Sequence, residues 1–219
     1  MTSKNQQIWP KPSDLMRYQA HLGSKHWDPS ISQNLIGFRD KTAIIDLNQT
    51  CVDLKRAYTF ISNCTSIGGK LMVVNTNPFL EEHVIRVARA NQYAYLNGRW
   101  IGGLLTNWSM VSRSVFGFKD FCNQYESLMN SQDINLSKFT KFKKAFSGLT
   151  TLNNLPDVIL VMSAESTLSC IVEANAMNIP VVGFTSSSSN GLDYPIVVNN
   201  KSVDFSAYAL NLLDTINNT

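Results

Sequence analysis

A chain of 219 residues, 44% of them hydrophobic, is long enough to bury one sizeable core, so we expect a single domain over residues 1–219 with an extended tail at residues 1–12. The four cysteines form no C-x-x-C pair, which excludes a zinc ribbon and a thioredoxin-like redox motif, and the longest apolar runs are far shorter than the roughly 20 residues that cross a bilayer. The overall net charge of +3 is too small to indicate a polyanionic partner by itself.

Patterns typical of strands and helices alternate from the first third of the chain onwards. Residues 41–47 have the apolar centre of a strand, and a capping-box pattern at residues 50–53 predicts that a helix begins there. Apolar residues then recur with helical spacing until the two glycines at residues 68–69. This segment therefore predicts one strand followed by one helix.

The same order repeats in the next segment. Residues 71–74 are apolar throughout, which predicts a strand buried on both faces. Asn77 and Pro78 form a typical helix start, and the apolar stripe that follows predicts a helix to about Asn91. A third strand is predicted at residues 93–96.

The alternation breaks after the third strand and then resumes. A helix from about Thr106 leads into a polar, aromatic and lysine-bearing stretch with weak periodicity, which we interpret as a helical insertion at residues 113–155. Further elements are predicted as strands at 158–162, 181–184 and 196–198 and as helices at 166–178 and after about residue 203. Such alternation favours an α/β fold with a parallel sheet and helices on both faces.

Motifs for catalysis, cofactors and metals fail one by one. Gly69 and Lys70 could end a P-loop, but Cys64 stands where that motif needs Gly and Leu71 where it needs Ser or Thr. There is no G-x-G-x-x-G after the first strand and no G-x-S-x-G. The three histidines, at 21, 26 and 83, lack metal-ligand spacing. We therefore expect no catalytic residue, no metal and no cofactor.

A family resemblance enters at residues 97–108. This segment, N-G-R-W-I-G-G-L-L-T-N-W, resembles the central signature of the small-subunit ribosomal protein S2 family, in its bacterial and organellar type. Shorter blocks follow the family's order and cover most of the chain outside residues 113–154: 20–23, 27–29, 44–47, 155–157, 173–174, 179–181 and 193–196.

The resemblance implies a flavodoxin-like three-layer α/β domain with a parallel sheet and a helical hairpin inserted after the signature. The insertion here is short and poor in charged heptads, so we expect a shortened one. Gly98 stands where the family has histidine, and Ser24 where a second histidine often follows Gly23. Residues 185–190 replace the family's acidic loop. Contacts made by those family groups are not carried over to this chain.

The implied function is that of a structural constituent of the small ribosomal subunit, acting in translation and binding small-subunit rRNA and neighbouring ribosomal proteins. No membrane and no small-molecule substrate are expected. The alternative is a flavodoxin-like nucleotide-binding domain or enzyme, which would use the loops at residues 75–77, 163–166 and 185–190, at the carboxyl ends of the strands.

The distribution of charge supports RNA as the partner. Residues 1–144 carry 18 basic against 10 acidic residues, a net charge of +8, whereas residues 145–219 carry one basic against six acidic residues, a net charge of −5. RNA binding needs cations for phosphates and aromatic or arginine planes for bases. The candidates are Arg17, His21, Lys25, His26, Trp27 and Arg39, then Arg99, Trp100, Arg113 and Lys119, and finally Lys138, Lys141, Lys143 and Lys144.

Structural alternatives exist for two of these groups. The lysine stretch could be the solvated face of a helix whose phenylalanines point inward, and both roles could hold at once. Arg99 and Trp100 lie next to paired glycines and could instead brace a tight turn.

The amino-acid bias predicts a compartment. No import signal is legible near the start, and Asn, Ser and Phe are abundant, which suggests a gene kept inside an organelle with AT-rich DNA. We expect the mitochondrial matrix, with the chain in the mitochondrial ribosome; a plastid is the second choice and the bacterial cytoplasm the third.

Overall fold

A computed structural model describes residues 9–129, 143 and 146–217 of the chain. Its strands are β1 (Leu35–Arg39), β2 (Thr42–Ile45), β3 (Leu71–Asn75), β4 (Ala94–Asn97), β5 (Val158–Val161), β6 (Val181–Thr185) and β7 (Tyr194–Val197). Its α-helices are α1 (Pro12–Arg17), α2 (Leu47–Ser66), α3 (Glu81–Ala90), α4 (Trp108–Met129), α5 (Leu168–Ala176) and α6 (Val203–Asn217). Within these residues no helix has both the length and the apolar character to cross a membrane.

Five parallel strands form the main sheet, in the order β4-β3-β5-β6-β7. Val73 at the centre of β3 is registered with Tyr95 of β4 on one side and with Leu160 of β5 on the other. Every residue of β3, β5 and β6 is buried, as expected for strands covered on both faces. This is the flavodoxin-like strand order, and the predicted α/β class is confirmed.

Two hydrophobic cores lie on opposite faces of the sheet and complete three layers. On one face α2, α3 and α6 pack against residues such as Val73 and Leu160, with Tyr58 and Phe205 as large buried side chains. On the other face α4, α5 and the signature segment pack against residues such as Val74. Alternate strand residues thus serve different cores.

One predicted strand lies outside the main sheet. The strand predicted at 41–47 is β2, which pairs antiparallel with β1 in a separate two-stranded hairpin. Its turn uses Asp40 and Lys41, whose φ angles of 49° and 65° lie in the left-handed region suited to two-residue hairpins. The expectation that this segment starts the parallel alternation was therefore wrong.

The predicted start of α2 was also wrong. The helix begins at Leu47 because the carboxylate of Asp46 accepts a hydrogen bond from the Asn48 amide and caps it. Thr50 lies inside the helix, fully buried, and its hydroxyl donates to the carbonyl of Val197 at 2.8 Å. Thr50 thus ties α2 to β7 instead of capping a helix.

Other predicted boundaries are close to those observed. α3 follows a 3-10 turn at Pro78–Leu80 that Asn77 caps, and α4 begins two residues after the predicted position. Residues 1–8, 130–142, 144–145 and 218–219 lie outside the described residues. The tail at 1–12, the insertion at 113–155 and the single domain over 1–219 stay predictions.

Candidate RNA interface

The first group of candidates lies on a segment that is fixed to β2. Leu22 forms an antiparallel bridge with Ile44, and the Gly23 amide donates to the Ala43 carbonyl at 2.8 Å. A Cβ on Gly23 would lie only 3.0 Å from that carbonyl oxygen, so the close approach favours glycine. The segment therefore follows the hairpin almost as a third strand.

Most polar candidates of this segment point to solvent. Lys25, His26 and Arg39 are exposed, as is Arg17 at the end of α1. Trp27 stacks on Phe38 of β1 with ring centroids 5.4 Å apart, which brings it close to Arg39 in the same strand. The fold thus joins Trp27 to β1 through a ring contact, while Arg39, registered with Thr42, belongs to the opposite face of the strand from Phe38.

His21 differs from its neighbours because it is half-buried. Its main-chain carbonyl accepts from the Ile45 amide at 2.9 Å. The buried Nδ1 atom has no hydrogen-bond partner within the described part of the chain. His21 therefore helps to attach the segment to β2 more than it contributes to the exposed surface.

Trp100 is buried and bound to Glu173. Its indole Nε1 donates to Glu173 Oε1 at 2.9 Å, and the amides of Gly103 and Leu105 donate to the same carboxylate at 2.8 and 3.0 Å. Burial acts to raise the pKa of Glu173, but these hydrogen bonds outweigh it and hold the pKa below its ordinary value. The contacts fit the alternative in which Trp100 braces the turn.

Arg99 is exposed, and together with Trp100 it lines an open cavity of about 500 Å³. The cavity lies at the carboxyl ends of β3 and β5, and hydroxyl groups line it beside the guanidinium: Thr76, Ser166, Thr167 and Ser169. The Thr76 and Ser166 hydroxyls lie 2.6 Å apart and link the loops that follow the two strands. Doubly wound sheets bind ligands at this edge, and Arg99 supplies a positive charge there that suits an anionic group.

The remaining candidates lie on or beyond α4. Arg113 and Lys119 are exposed on α4, and Lys143 is exposed as well. Lys138, Lys141 and Lys144 lie outside the described residues. Among residues 9–129 and 146–217, no three His, Cys, Asp or Glu side chains are grouped so that they could hold a metal ion.

Glu165 is a site residue that the sequence did not reveal. Although the residue is exposed, its Oε1 accepts from the Ser186 and Ser187 amides at 2.7 and 3.0 Å, and from the Thr185 hydroxyl at 3.1 Å. Its other oxygen accepts from Asn200. Burial acts to raise the pKa of Glu165, but these donors lower it below the ordinary value.

The loop held by Glu165, residues 185–190, in turn holds the candidate segment. The Asp28 amide donates to the Ser187 carbonyl at 2.7 Å, and the Ser189 amide donates to the Ser30 hydroxyl at 3.1 Å. Glu165 therefore orders the basic segment indirectly. Its partners are 20 to 35 residues distant in the chain, which is why no local pattern predicted them.

Sequence comparisons show similarity to ribosomal proteins over most of the chain. The family model described as ribosomal protein S2 matches residues 15–218. A small ribosomal subunit protein uS2m from Marchantia polymorpha is 32% identical over 207 residues, covering 91% of this chain and 87% of the relative. Small ribosomal subunit proteins uS2 from Colwellia psychrerythraea and Novosphingobium aromaticivorans are 32% and 34% identical, covering 87% and 84% of this chain and 83% and 77% of the relatives.

Proposed function

The chain belongs to the ribosomal protein S2 family and has that family's structural role in the small ribosomal subunit; from this premise we propose that its exposed cations neutralise phosphates of small-subunit rRNA. We infer that the role involves no catalysis, since positioning cations against a polyanion requires no reacting group. The acidic part of the chain, residues 145–219, then faces solvent or a basic neighbouring ribosomal protein.

One observation carries this proposal. The described candidate arginines and lysines are exposed, and within the described part of the chain none makes an ion pair or side-chain hydrogen bond: Arg17, Lys25, Arg39, Arg99, Arg113, Lys119 and Lys143. Two arginines outside this group are engaged, since Arg86 donates to Asn211 at 2.7 Å and Arg56 lies over the Tyr194 ring. Cations left free on the surface are the groups that release counterions when they meet phosphates.

The candidates do not all share this role. Trp100 braces the signature turn, and His21 attaches the segment before the hairpin to β2. Lys25, His26, Trp27 and Arg39 form the hairpin contact, Arg99 takes a phosphate at the cavity, and Arg113 and Lys119 extend the contact along α4. We include the lysine stretch, residues 138–144, as a further phosphate contact.

The salt dependence of rRNA binding tests the hairpin contact. The double variant K25A/R39A removes two cations, so the slope of log Kd against log salt should fall by about 1.5, at roughly 0.7 to 0.9 for each phosphate contact. Lys201→Ala is the matched control, because Lys201 is an exposed lysine in the acidic part. An unchanged slope in the double variant would remove the hairpin from the RNA-binding surface.

We further propose that the chain acts in mitochondria. The likeness to a uS2m protein and the Asn, Ser and Phe bias support this, and the likeness to bacterial uS2 proteins leaves a plastid or a bacterium as alternatives. Cell fractionation followed by sedimentation tests it. The chain should travel with small subunits from the mitochondrial matrix, and recovery in plastid or cytoplasmic ribosomes instead would contradict the assignment.

A further inference from the structure

We propose that the exposed Trp27–Phe38 ring pair of the β1-β2 hairpin binds unpaired RNA bases by stacking, an inference that rests on the proposed function and names the part of the RNA involved. The surface is the stacked pair of exposed rings, Trp27 and Phe38, and we call it the hairpin platform. Three exposed cations lie within three residues of these rings in the chain: Lys25, Arg39 and Lys41. The sequence indicated Trp27 alone; the stacked partner from β1 appears only in the fold.

Large apolar side chains are unusually open on this platform. The exposed fractions are 37% for Trp27 and 56% for Phe38. The two rings stack at 5.4 Å with planes 29° apart, so each supports the other while Phe38 keeps more than half of its surface in water. Clustered apolar surface of this kind marks an interaction site.

The platform is fixed before any ligand arrives. Ile31, Ile45 and Val197 form a small buried core that joins the hairpin to β7 of the main sheet. The tight contact between Gly23 and Ala43 and the hydrogen bond from the Asp28 amide to the Ser187 carbonyl hold the Trp27 segment from two sides. A rigid aromatic surface loses little entropy on binding, which favours stacking.

The charges around the platform favour RNA over a protein partner. Lys25, Arg39 and Lys41 are exposed and make no ion pair within the described residues, and Asp28 and Asp40 are the acidic groups close to them in the chain. The hydrogen bond from the Ser30 amide lowers the pKa of Asp28 and uses its carboxylate as a helix cap. Protein interface cores are depleted in charge, whereas aromatic rings bordered by cations suit nucleic acid.

Unpaired bases are favoured over a duplex. In an A-form helix the flat faces of the bases are stacked on each other, and a protein reaches only edges, hydroxyls and phosphates. An exposed phenylalanine offers a flat ring that only a splayed-out base can use fully. The platform is therefore suited to a loop, a bulge or a single-stranded end.

The test uses the full chain and a short RNA of mixed sequence, either single-stranded or annealed to its complement. Phe38→Leu keeps most of the apolar volume but removes the ring, so affinity for the single strand should fall roughly five- to hundredfold, the range expected for the loss of one stacked base. Affinity for the duplex should change little. Phe38→Tyr should keep the single-strand affinity, because it keeps the ring.

Phe79→Leu is the matched control. Phe79 is 77% exposed in the 3-10 turn after β3, so this variant removes an equally accessible ring elsewhere and should bind as the parent chain does. Tryptophan fluorescence gives a second readout, since a base stacked on the platform should quench Trp27, and the quenching should weaken in Phe38→Leu.

Two results would overturn the inference while leaving the proposed function intact. In the first, Phe38→Leu binds the single strand as tightly as the parent chain, and both bind small-subunit rRNA. In the second, its affinity for RNA is unchanged but it no longer enters small subunits, which assigns the platform to a protein neighbour. If the parent chain bound neither the short RNA nor rRNA, both the inference and the proposed function would fail.

Discussion

Arg99 and Trp100 are neighbours in the sequence, yet the signature turn sends one side chain outward and the other inward. Trp100 is buried against Glu173, which also accepts the amides of Gly103 and Leu105. Arg99 is left exposed at the cavity. The turn thus combines a stabilising hydrogen bond, from Trp100 to Glu173, with an exposed cation, Arg99. The two roles can be tested separately.

Trp100→Phe tests the structural half. The change removes an indole donor to a partly buried carboxylate, so the free energy of unfolding should fall by about 2 kcal/mol, as for other hydrogen bonds to charged groups. Urea unfolding monitored by circular dichroism measures it. Trp27→Phe is the control and should cost about 0.5 kcal/mol or less, since Trp27 is a surface residue without such a bond. Equal costs for the two variants would contradict the bracing role.

The strands of the main sheet could be predicted from the sequence, because a short apolar run bounded by polar residues is typical of a strand buried on both faces. Of the two strands of the hairpin, only β2 was predicted from the sequence. β1 was not predicted because two of its exposed residues, Ile36 and Phe38, are apolar, so residue type does not show which positions face solvent, and its register is irregular between Leu35 and Gly37. The exposure of the candidate lysines and arginines could be predicted from residue type. The hydrogen bond from Trp100 to Glu173 could not, because the two residues are 73 positions apart in the chain.

The loop at residues 185–190 illustrates the same limit at the level of an element. In the sequence, this serine-rich segment stands in place of the family's acidic loop. In the fold, Ser186 and Ser187 donate hydrogen bonds to Glu165, which precedes α5. The loop thereby connects the residues before α5 to the basic segment. A long-range carboxylate with several donors leaves no periodic pattern in a sequence.

Glu165→Gln tests this element through pH. The folded pKa of Glu165 is lowered, so its stabilising effect is fully present above the unfolded pKa and is lost as pH falls through the folded pKa. At neutral pH the variant should lose about 1 kcal/mol of unfolding free energy, allowing for partial exposure to solvent. The difference from the parent chain should shrink as the solution becomes more acidic than the ordinary glutamate pKa of 4.5.

Glu82→Gln is the control for that experiment, because Glu82 is an exposed glutamate in the first turn of α3. It should change stability by a few tenths of a kcal/mol at most. A pH-independent difference between the parent chain and Glu165→Gln would mean that the serine loop is held by something other than the charge.

For the molecule as a whole, the fold separates a scaffold from the surface it presents. Two apolar cores on either face of the sheet hold the strands, and the hairpin, the signature turn and α4 carry the free cations. With a net charge of +8 in residues 1–144 and −5 in residues 145–219, attraction to a polyanion orients the chain as well as binding it.

A structure of the small ribosomal subunit containing this chain is the most direct measurement. The account predicts Lys25, Arg39, Arg99, Arg113 and Lys119 with their charged atoms within roughly 4 Å of rRNA phosphate oxygens, and residues 145–219 turned toward solvent or protein. It would be contradicted by a subunit in which these cations face solvent while the acidic part lies against the RNA.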